Sequence, residues 1–403
     1  MFVEFHDDTH NNSVYLSYSW FYLNFCFYQE TGHENSGLAG GGARLGFVII
    51  GENSIQNNLI EVISCNFTSN LCMNGGGASF YTTREISPVS TNKMIFRNCT
   101  WEKNYGTFGS AVNLHLWQGS DIGVLSTVEF ENGTFQENIM GIVRIFKNQQ
   151  GFGALYVDHI PVSFTGSSQF LHNNRSALVA IASSITVNRN ATVTFMENEA
   201  DFGGAILLSG YAYLKVLEGA HVHFENNTAK IRGGAIYTEY VGKAFAVYYA
   251  SCFIRPENYY TNPRDWGFRV SFVNNRAKHY GNDIYSTSLL PCIYPYVNVG
   301  QTLNVSDAVH QVFSNWSHVF SFSSKNNSIA TDGIIYTNYN DSTPFAFPGK
   351  TIEVPVTSRD ELGHQSDVAL VAQIQDSVDP DISLAERITH TDGTIQFLSL
   401  IHI

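Results

Sequence analysis

The feature that most constrains this chain is a recurrence: an aromatic residue, two variable positions and an asparagine, followed shortly by Gly-Gly-Ala-Ile. The stretch VHFENNTAKIRGGAIYTEY, Val222 to Tyr240, shows it whole. Seven copies align, on Phe67 and Asn70, Trp101 and Asn104, Phe135 and Asn138, Phe170 and Asn173, Phe195 and Asn198, Phe224 and Asn227, and Phe272 and Asn275. The small-residue blocks that follow are Gly76-Gly77-Ala78, Gly109-Ser110-Ala111, Gly153-Ala154, Ser176-Ala177, Gly203-Gly204-Ala205, Gly233-Gly234-Ala235 and Gly281-Asn282-Asp283. A weaker eighth copy surrounds Gly41-Gly42-Ala43.

Self-similarity at a period of a few tens of residues marks a repeat architecture, in which each unit buries its apolar face only against its neighbours. The intervals between successive aromatics are 34, 34, 35, 25, 29 and 48, the last stretched by an insertion at 241–269. Three short strands and three turns need a repeat of this size, and its variability means that insertions leave at a corner while the coil is kept. The 3.6-residue apolar spacing of helical repeats is missing. The expected fold is therefore all-β, a right-handed parallel β-helix of seven to eight coils over residues 1–290.

Stacking equivalent positions one strand spacing apart assigns a role to each part of the motif. The aromatics are expected to point inward and pile into a column, each ring burying ~150–250 Å². The asparagines are expected at a corner, tolerating a left-handed backbone and exchanging amide hydrogen bonds with the asparagines above and below. Gly203-Gly204 and Gly233-Gly234 allow positive φ and close backbone approach. The residue after the block's alanine, or at the matching place in the last copy, is Val112, Leu155, Leu178, Ile206, Ile236 or Ile284, with Ser79 the exception. It is expected to be the inward strand position.

Phe-x-x-Asn with Gly-Gly-Ala-Ile resembles the repeat of the chlamydial polymorphic outer membrane proteins, which recurs in large surface proteins of early-branching animals. Both resemble the right-handed parallel β-helix, pectin-lyase-like superfamily. The resemblance covers about Phe27 to Ser286 and implies a scaffold at the cell surface, in bacterial relatives the cell envelope or outer membrane. Gly153, Ser176 and Gly281-Asn282-Asp283 depart from the full block, and Asp283 is expected to end the solenoid and meet solvent.

After Cys292 the text changes to period-2 segments at Val312 to Phe322, Gly333 to Thr337, Thr351 to Val356 and Val368 to Ile374, separated by turns such as Phe347-Pro348-Gly349-Lys350 and Asp360-Glu361-Leu362-Gly363. The expectation is a C-terminal immunoglobulin-like β-sandwich over 291–403.

Composition narrows the function. With 44% hydrophobic and 14% aromatic residues the chain is a folded protein, and 33 Gly, 29 Phe and 21 Tyr favour strands. A net charge of −13, with only 22 Lys and Arg, excludes a nucleic-acid partner of the ordinary kind. The start, MFVEFHDDTH, lacks the basic and apolar regions of a signal peptide, and the aromatic run Tyr15 to Tyr28 is too short to span a bilayer. Segments outside this chain are where a membrane attachment would be expected. Sequons stand at Asn11, Asn66, Asn98, Asn132, Asn174, Asn190, Asn226, Asn304, Asn315, Asn326 and Asn340, which leans towards a secreted glycoprotein.

Candidate sites are few. No two aspartates occupy equivalent places in adjacent coils, so no catalytic residue and no cofactor is expected. His221 and His223 have the spacing of two metal ligands without a visible third, and Asp376, Asp379 and Asp381 read as a turn, so no metal is expected. Cys65 and Cys99 each precede a repeat aromatic by two residues and are candidates for a disulfide between adjacent coils. Phe80, Tyr156, Tyr237 and Tyr285, one place beyond the inward position, form a stripe that suits stacking on sugar rings. The expected function is a non-enzymatic extracellular or cell-surface scaffold or adhesion protein, its partner an extracellular protein or glycan. A polysaccharide-binding or polysaccharide-degrading β-helix is the runner-up.

Overall fold

Three parallel sheets account for the repeat, because each copy contributes one strand to each sheet before the chain climbs to the next coil. The structure, a computed structural model, describes residues 2–5, 11–24, 41–47, 57–72, 74–83, 92–117, 126–140, 153–210, 212–239, 252–256, 267–286, 319–323, 328–331, 334–337 and 358–360. Among these every element is a strand, and no helix is long and apolar enough to cross a membrane. The first sheet has ten strands: Phe2–Phe5, Ala43–Phe47, Ala78–Thr83, Val112–Trp117, Leu155–Asp158, Leu178–Ile181, Ile206–Ser209, Ile236–Thr238, Ile284–Ser286 and Ile329–Thr331. The second has eight, from Ser13–Ser17 through Lys93–Arg97 to Cys252–Pro256. The third has nine, from Trp20–Tyr22 through Thr134–Gln136 to Phe320–Phe322. This is the arrangement of a parallel β-helix.

The register puts like on like. Phe21, Phe67, Trp101, Phe135, Phe170, Phe195, Phe224, Phe272 and Phe322 stack with centroids 4.4–5.5 Å apart and ring planes within 11°. Quadrupoles alone would offset or tilt such pairs; here the spacing between strands holds the rings face to face. A second pile of Phe96, Phe130 and Phe164 comes from the second sheet and meets the first edge-on, as in the 5.2 Å contact of Phe96 with Trp101. Aliphatic side chains of the first sheet complete one continuous core.

The asparagines form a ladder from Asn24 through Asn70, Asn104, Asn138, Asn173, Asn198 and Asn227 to Asn275. Around Asn138 the pattern is complete. Its Oδ1 accepts from the backbone N–H and the Nδ2 of Asn104, both at 3.1 Å, and its Nδ2 donates to Trp101 O at 2.9 Å and Asn173 Oδ1 at 3.0 Å. Four bonds consume the whole capacity of one amide, which is what permits it to be fully buried.

The left-handed residue is not the asparagine but the one before it. Ser69, Lys103, Glu137, His172, Glu197, Asn226 and Asn274 have φ of 50–55°. The reason lies in strand alternation: Phe67 points in and Thr68 out, and a left-handed Ser69 bends the chain so that Asn70 points in again. The glycine pair divides its labour. Gly203 and Gly233 carry φ of 58° and 67°, whereas a Cβ on Gly204 or Gly234 would collide with the carbonyl oxygen of Gly234 or Asn282 on the next coil.

Several expectations are corrected by the register. In the first full copy Gly77 stands where the next five copies have alanine, so Ala78, paired with Val112, fills the inward column, and Ser79 is not an exception to it. Phe80 is therefore fully buried inside and lies off the tyrosine stripe. The weak eighth copy takes its aromatic and asparagine from Phe21 and Asn24, which continue the ring stack and the ladder. The segment 241–269 holds a strand of the second sheet, Cys252–Pro256, and so is not wholly an insertion.

Asp283 does not meet solvent. It is 2% exposed and accepts from Asn275 Nδ2 at 2.9 Å, taking the place of the next asparagine in the ladder. The solenoid also passes the expected boundary at 290, since Phe320–Phe322 pairs with Arg269–Val273 and Ile329–Thr331 with Ile284–Ser286. Phe320–Phe322, expected within a sandwich strand, is thus a strand of the third sheet. Beyond it Ile334–Thr337 pairs antiparallel with Ser358–Asp360, which covers the first residue of the expected turn at Asp360. The strands expected at Thr351 to Val356 and Val368 to Ile374 lie outside the described residues, as do Asp376, Asp379 and Asp381.

Candidate functional site: the lateral faces of the coil stack

With the interior filled, chemistry is left to the outward positions of the three sheets. On the third sheet one outward column runs Trp20, Asn66, Thr100, Thr134, Gln169, Thr194, His223, Ser271, Ser321, each residue paired with the next. The inward column beside it is aromatic at every one of these steps. On the second sheet the outward rows are charged. Arg97 reaches Glu61 at 2.7 Å and Glu131 at 3.4 Å, and Lys93 reaches Glu129 at 2.5 Å. Burial works against the Glu129 carboxylate, but Lys93 and Thr165 outweigh it and hold its pKa below the usual range.

The tyrosine stripe is covered. Tyr156, Tyr237 and Tyr285 are 8%, 9% and 1% exposed. Tyr237 stacks on Tyr285 at 5.5 Å and meets Phe202 at 5.0 Å, while the Arg232 guanidinium lies 4.7 Å above the Tyr285 ring and donates to its hydroxyl. Phe108 closes on Tyr156 edge-on at 5.5 Å. Rings sandwiched in this way offer no face to a sugar, so the expected sugar contact at these residues is withdrawn.

His221 and His223 do share a face, but Ser271 stands against them both. Its Oγ is 2.6 Å from His223 Nδ1 and 3.1 Å from His221 Nε2, and His223 Nε2 is 3.1 Å from Glu225 Oε2. One hydroxyl proton can go to only one of two imidazoles, so the other ring must donate to the oxygen. Burial, then His223 and Arg269, lower the His221 pKa. Among the described residues no group of three His, Cys, Asp or Glu side chains could hold a metal ion. A second cluster, which the sequence reading overlooked, is Asp158 between His115 Nδ1 at 2.9 Å and His159 Nδ1 at 2.5 Å. The two imidazoles overcome burial and bring the Asp158 carboxyl down to about 2.

Cys65 and Cys99 lie on adjacent coils but are separate buried thiols, which corrects the expected bridge. A hydrogen bond from Cys99 holds the Cys65 thiol down to about 7, and the same bond and burial push Cys99 up. Cys72 and Cys252 are the described cysteines that are bridged. Of the sequon asparagines, Asn11, Asn98, Asn132, Asn174 and Asn190 are exposed, and Asn66 and Asn226 half-buried. Asn132 Nδ2 donates to Asn98 Oδ1 at 3.0 Å across a corner. Asn304, Asn315, Asn326 and Asn340 lie outside the described residues.

The first coil carries a patch that sequence reasoning weighed only as a membrane span. Tyr15, Tyr18, Trp20 and Tyr22 are 62%, 84%, 79% and 60% exposed, while Val14, Leu16 and Phe21 face the core. Alternation of aromatic with Ser and Leu through Tyr15-Leu16-Ser17 was the available signal, for it specifies a strand whose rings point outward.

Against protein-family models, residues 221–239 match the Chlamydia polymorphic membrane protein repeat. These residues supply a strand of the third sheet, a ladder asparagine and the glycine pair that opens the first sheet. No curated protein and no solved structure matches the chain. The chain thus carries a repeat of the polymorphic membrane protein kind, built into a stack of parallel strands.

Proposed function

We propose that this is a non-enzymatic scaffold of the extracellular space or cell surface, presenting the lateral faces of its β-helix for adhesion or recognition. One observation carries the reading: inward columns repeat from coil to coil, whereas the outward column beside the aromatics changes from Trp and Asn to Thr, Gln, His and Ser. A chain that holds its backbone with an invariant interior can vary its surface at little cost to the fold. The matched repeat, which in the chlamydial proteins belongs to the surface and outer membrane, supports the location. The partner is an extracellular protein or a glycan.

The test is to label intact cells of the source organism with a membrane-impermeant biotin reagent. Capture of the chain without lysis is expected, together with retention on cells or matrix of beads coated with it. Labelling only after lysis would overturn the location, and coated beads that behave as albumin-coated ones would overturn the recognition role.

A further inference from the structure

We infer that the exposed aromatic face of the first coil seats an N-linked glycan of this same chain, attached at Asn66. The inference rests on the extracellular reading above. Trp20 and Asn66 are direct partners in the third sheet, and Tyr22 is paired with Thr68. Phe67 is buried in the aromatic column, so Asn66 and Thr68, the two ends of the sequon Asn66-Phe67-Thr68, both point outward on the face that carries Trp20 and Tyr22. Paired strands hold these side chains ~5 Å apart. That is within reach of the first sugar of a glycan on Asn66.

Among the described residues the Asn66 side-chain amide makes no hydrogen bond, whereas Asn132 Nδ2 is committed to Asn98. Trp20 and Tyr22 are 79% and 60% exposed, on a sheet whose other outward positions are mostly polar. A pyranose ring has one face of C–H groups and an edge of hydroxyls. It covers an indole while its hydroxyls remain in water or reach Thr68 and Thr100. In the transfer, Asn66 Nδ2 bonds to the anomeric carbon of N-acetylglucosamine, the sugar's bond to a lipid-linked pyrophosphate breaks, and the amide proton passes to a base of the transferase.

The test uses the full chain secreted from a eukaryotic host, as wild type, Asn66→Gln, Trp20→Ala and Trp20→Phe. Peptide mass after enzymatic deglycosylation in heavy-oxygen water is expected to show Asn66 occupied. Removing the glycan is expected to lower the Tm of the wild type and of Trp20→Phe by about 1–4 °C, and to leave Trp20→Ala unmoved. An empty Asn66 would overturn the inference and leave the extracellular reading intact, since labelling of intact cells tests that reading separately. Equal Tm losses in wild type and Trp20→Ala would remove the stacking. Binding of soluble N-acetylglucosamine oligomers to unglycosylated chain, lost in Trp20→Ala, would assign the rings to a free glycan and overturn the inference.

Discussion

Replacing Asn138 by alanine should be among the costlier single changes in this chain, although it removes only a small polar group. In the wild type the amide makes four hydrogen bonds. Alanine strips the acceptor from two buried donors, the backbone N–H and one Nδ2 proton of Asn104, and takes one donor each from Trp101 O and Asn173 Oδ1. Asn173 Oδ1 keeps the Asn138 backbone N–H at 3.1 Å, so the acceptors suffer less than the donors. Two orphaned buried donors at roughly 1–3 kcal/mol each give a loss of about 2–6 kcal/mol. Thr134→Ala, outward on the same coil, should stay within about 0.5 kcal/mol. Stacked repeats need not unfold in one step, so urea unfolding by circular dichroism should be joined to hydrogen exchange at the Asn104 amide. That amide should lose at least ~10-fold protection. A cost for Asn138→Ala below ~1 kcal/mol, with the Asn104 amide still protected, would refute the claim that the ladder holds the corner.

Three further outcomes follow from the same interior. Burial raises the Asp283 pKa although Asn275 and Ser328 oppose it, so the folded state prefers the protonated acid; stability is full below the unfolded pKa and is lost as pH rises through the folded one. Asp283→Asn should therefore be more stable than wild type at pH 7 and lose that margin near pH 3 to 4 in thermal melts. Trp101 Nε1 is buried without a partner, so Trp101→Phe should trade lost area against an orphan removed and stay within ~1 kcal/mol, whereas Trp101→Ala should cost ~3–5 kcal/mol in urea unfolding. Ser69→Gly relieves a left-handed serine at φ 55° and should gain ~0.5–1 kcal/mol by the same measurement; a loss would show that Ser69 is held by more than backbone strain.

The solenoid was legible because its signal is periodic and each position has one physical job. Phe67, Trp101 and Phe135 announce a column through their shared distance from Asn70, Asn104 and Asn138, and no alternative fold would ask for that spacing seven times. What failed was register at the scale of one residue. Three glycines in a row, Gly75-Gly76-Gly77, allow two alignments, and choosing the wrong one placed Phe80 outside and Ser79 inside. Asp283 was misread for a related reason: an aspartate reads as solvent-facing until its neighbour in space, Asn275, is known to need an acceptor. The tyrosine stripe failed because a sequence shows that Tyr237 and Tyr285 leave the sheet outward but not that Phe202 and Arg232 close over them. Exposure depends on what returns across a face, and that is a long-range fact.

The division between columns also bears on how such a surface can change. A ladder amide such as that of Asn138 makes four hydrogen bonds to three residues on neighbouring coils, and an aromatic touches two rings, so an inward substitution is felt above and below it. An outward residue such as Gln169 or Thr194 answers mainly to water, and its replacement is worth tenths of a kcal/mol in the fold. Along the third sheet these two kinds of position alternate residue by residue, so every second side chain is free to follow a partner while its neighbours are held by the core. For the same reason the first coil can expose Trp20 and Tyr22 at all: Phe21 between them anchors the strand through its stack on Phe67 at 4.7 Å. Large apolar rings that the core does not need are then held in place, at a defined spacing, for whatever covers them.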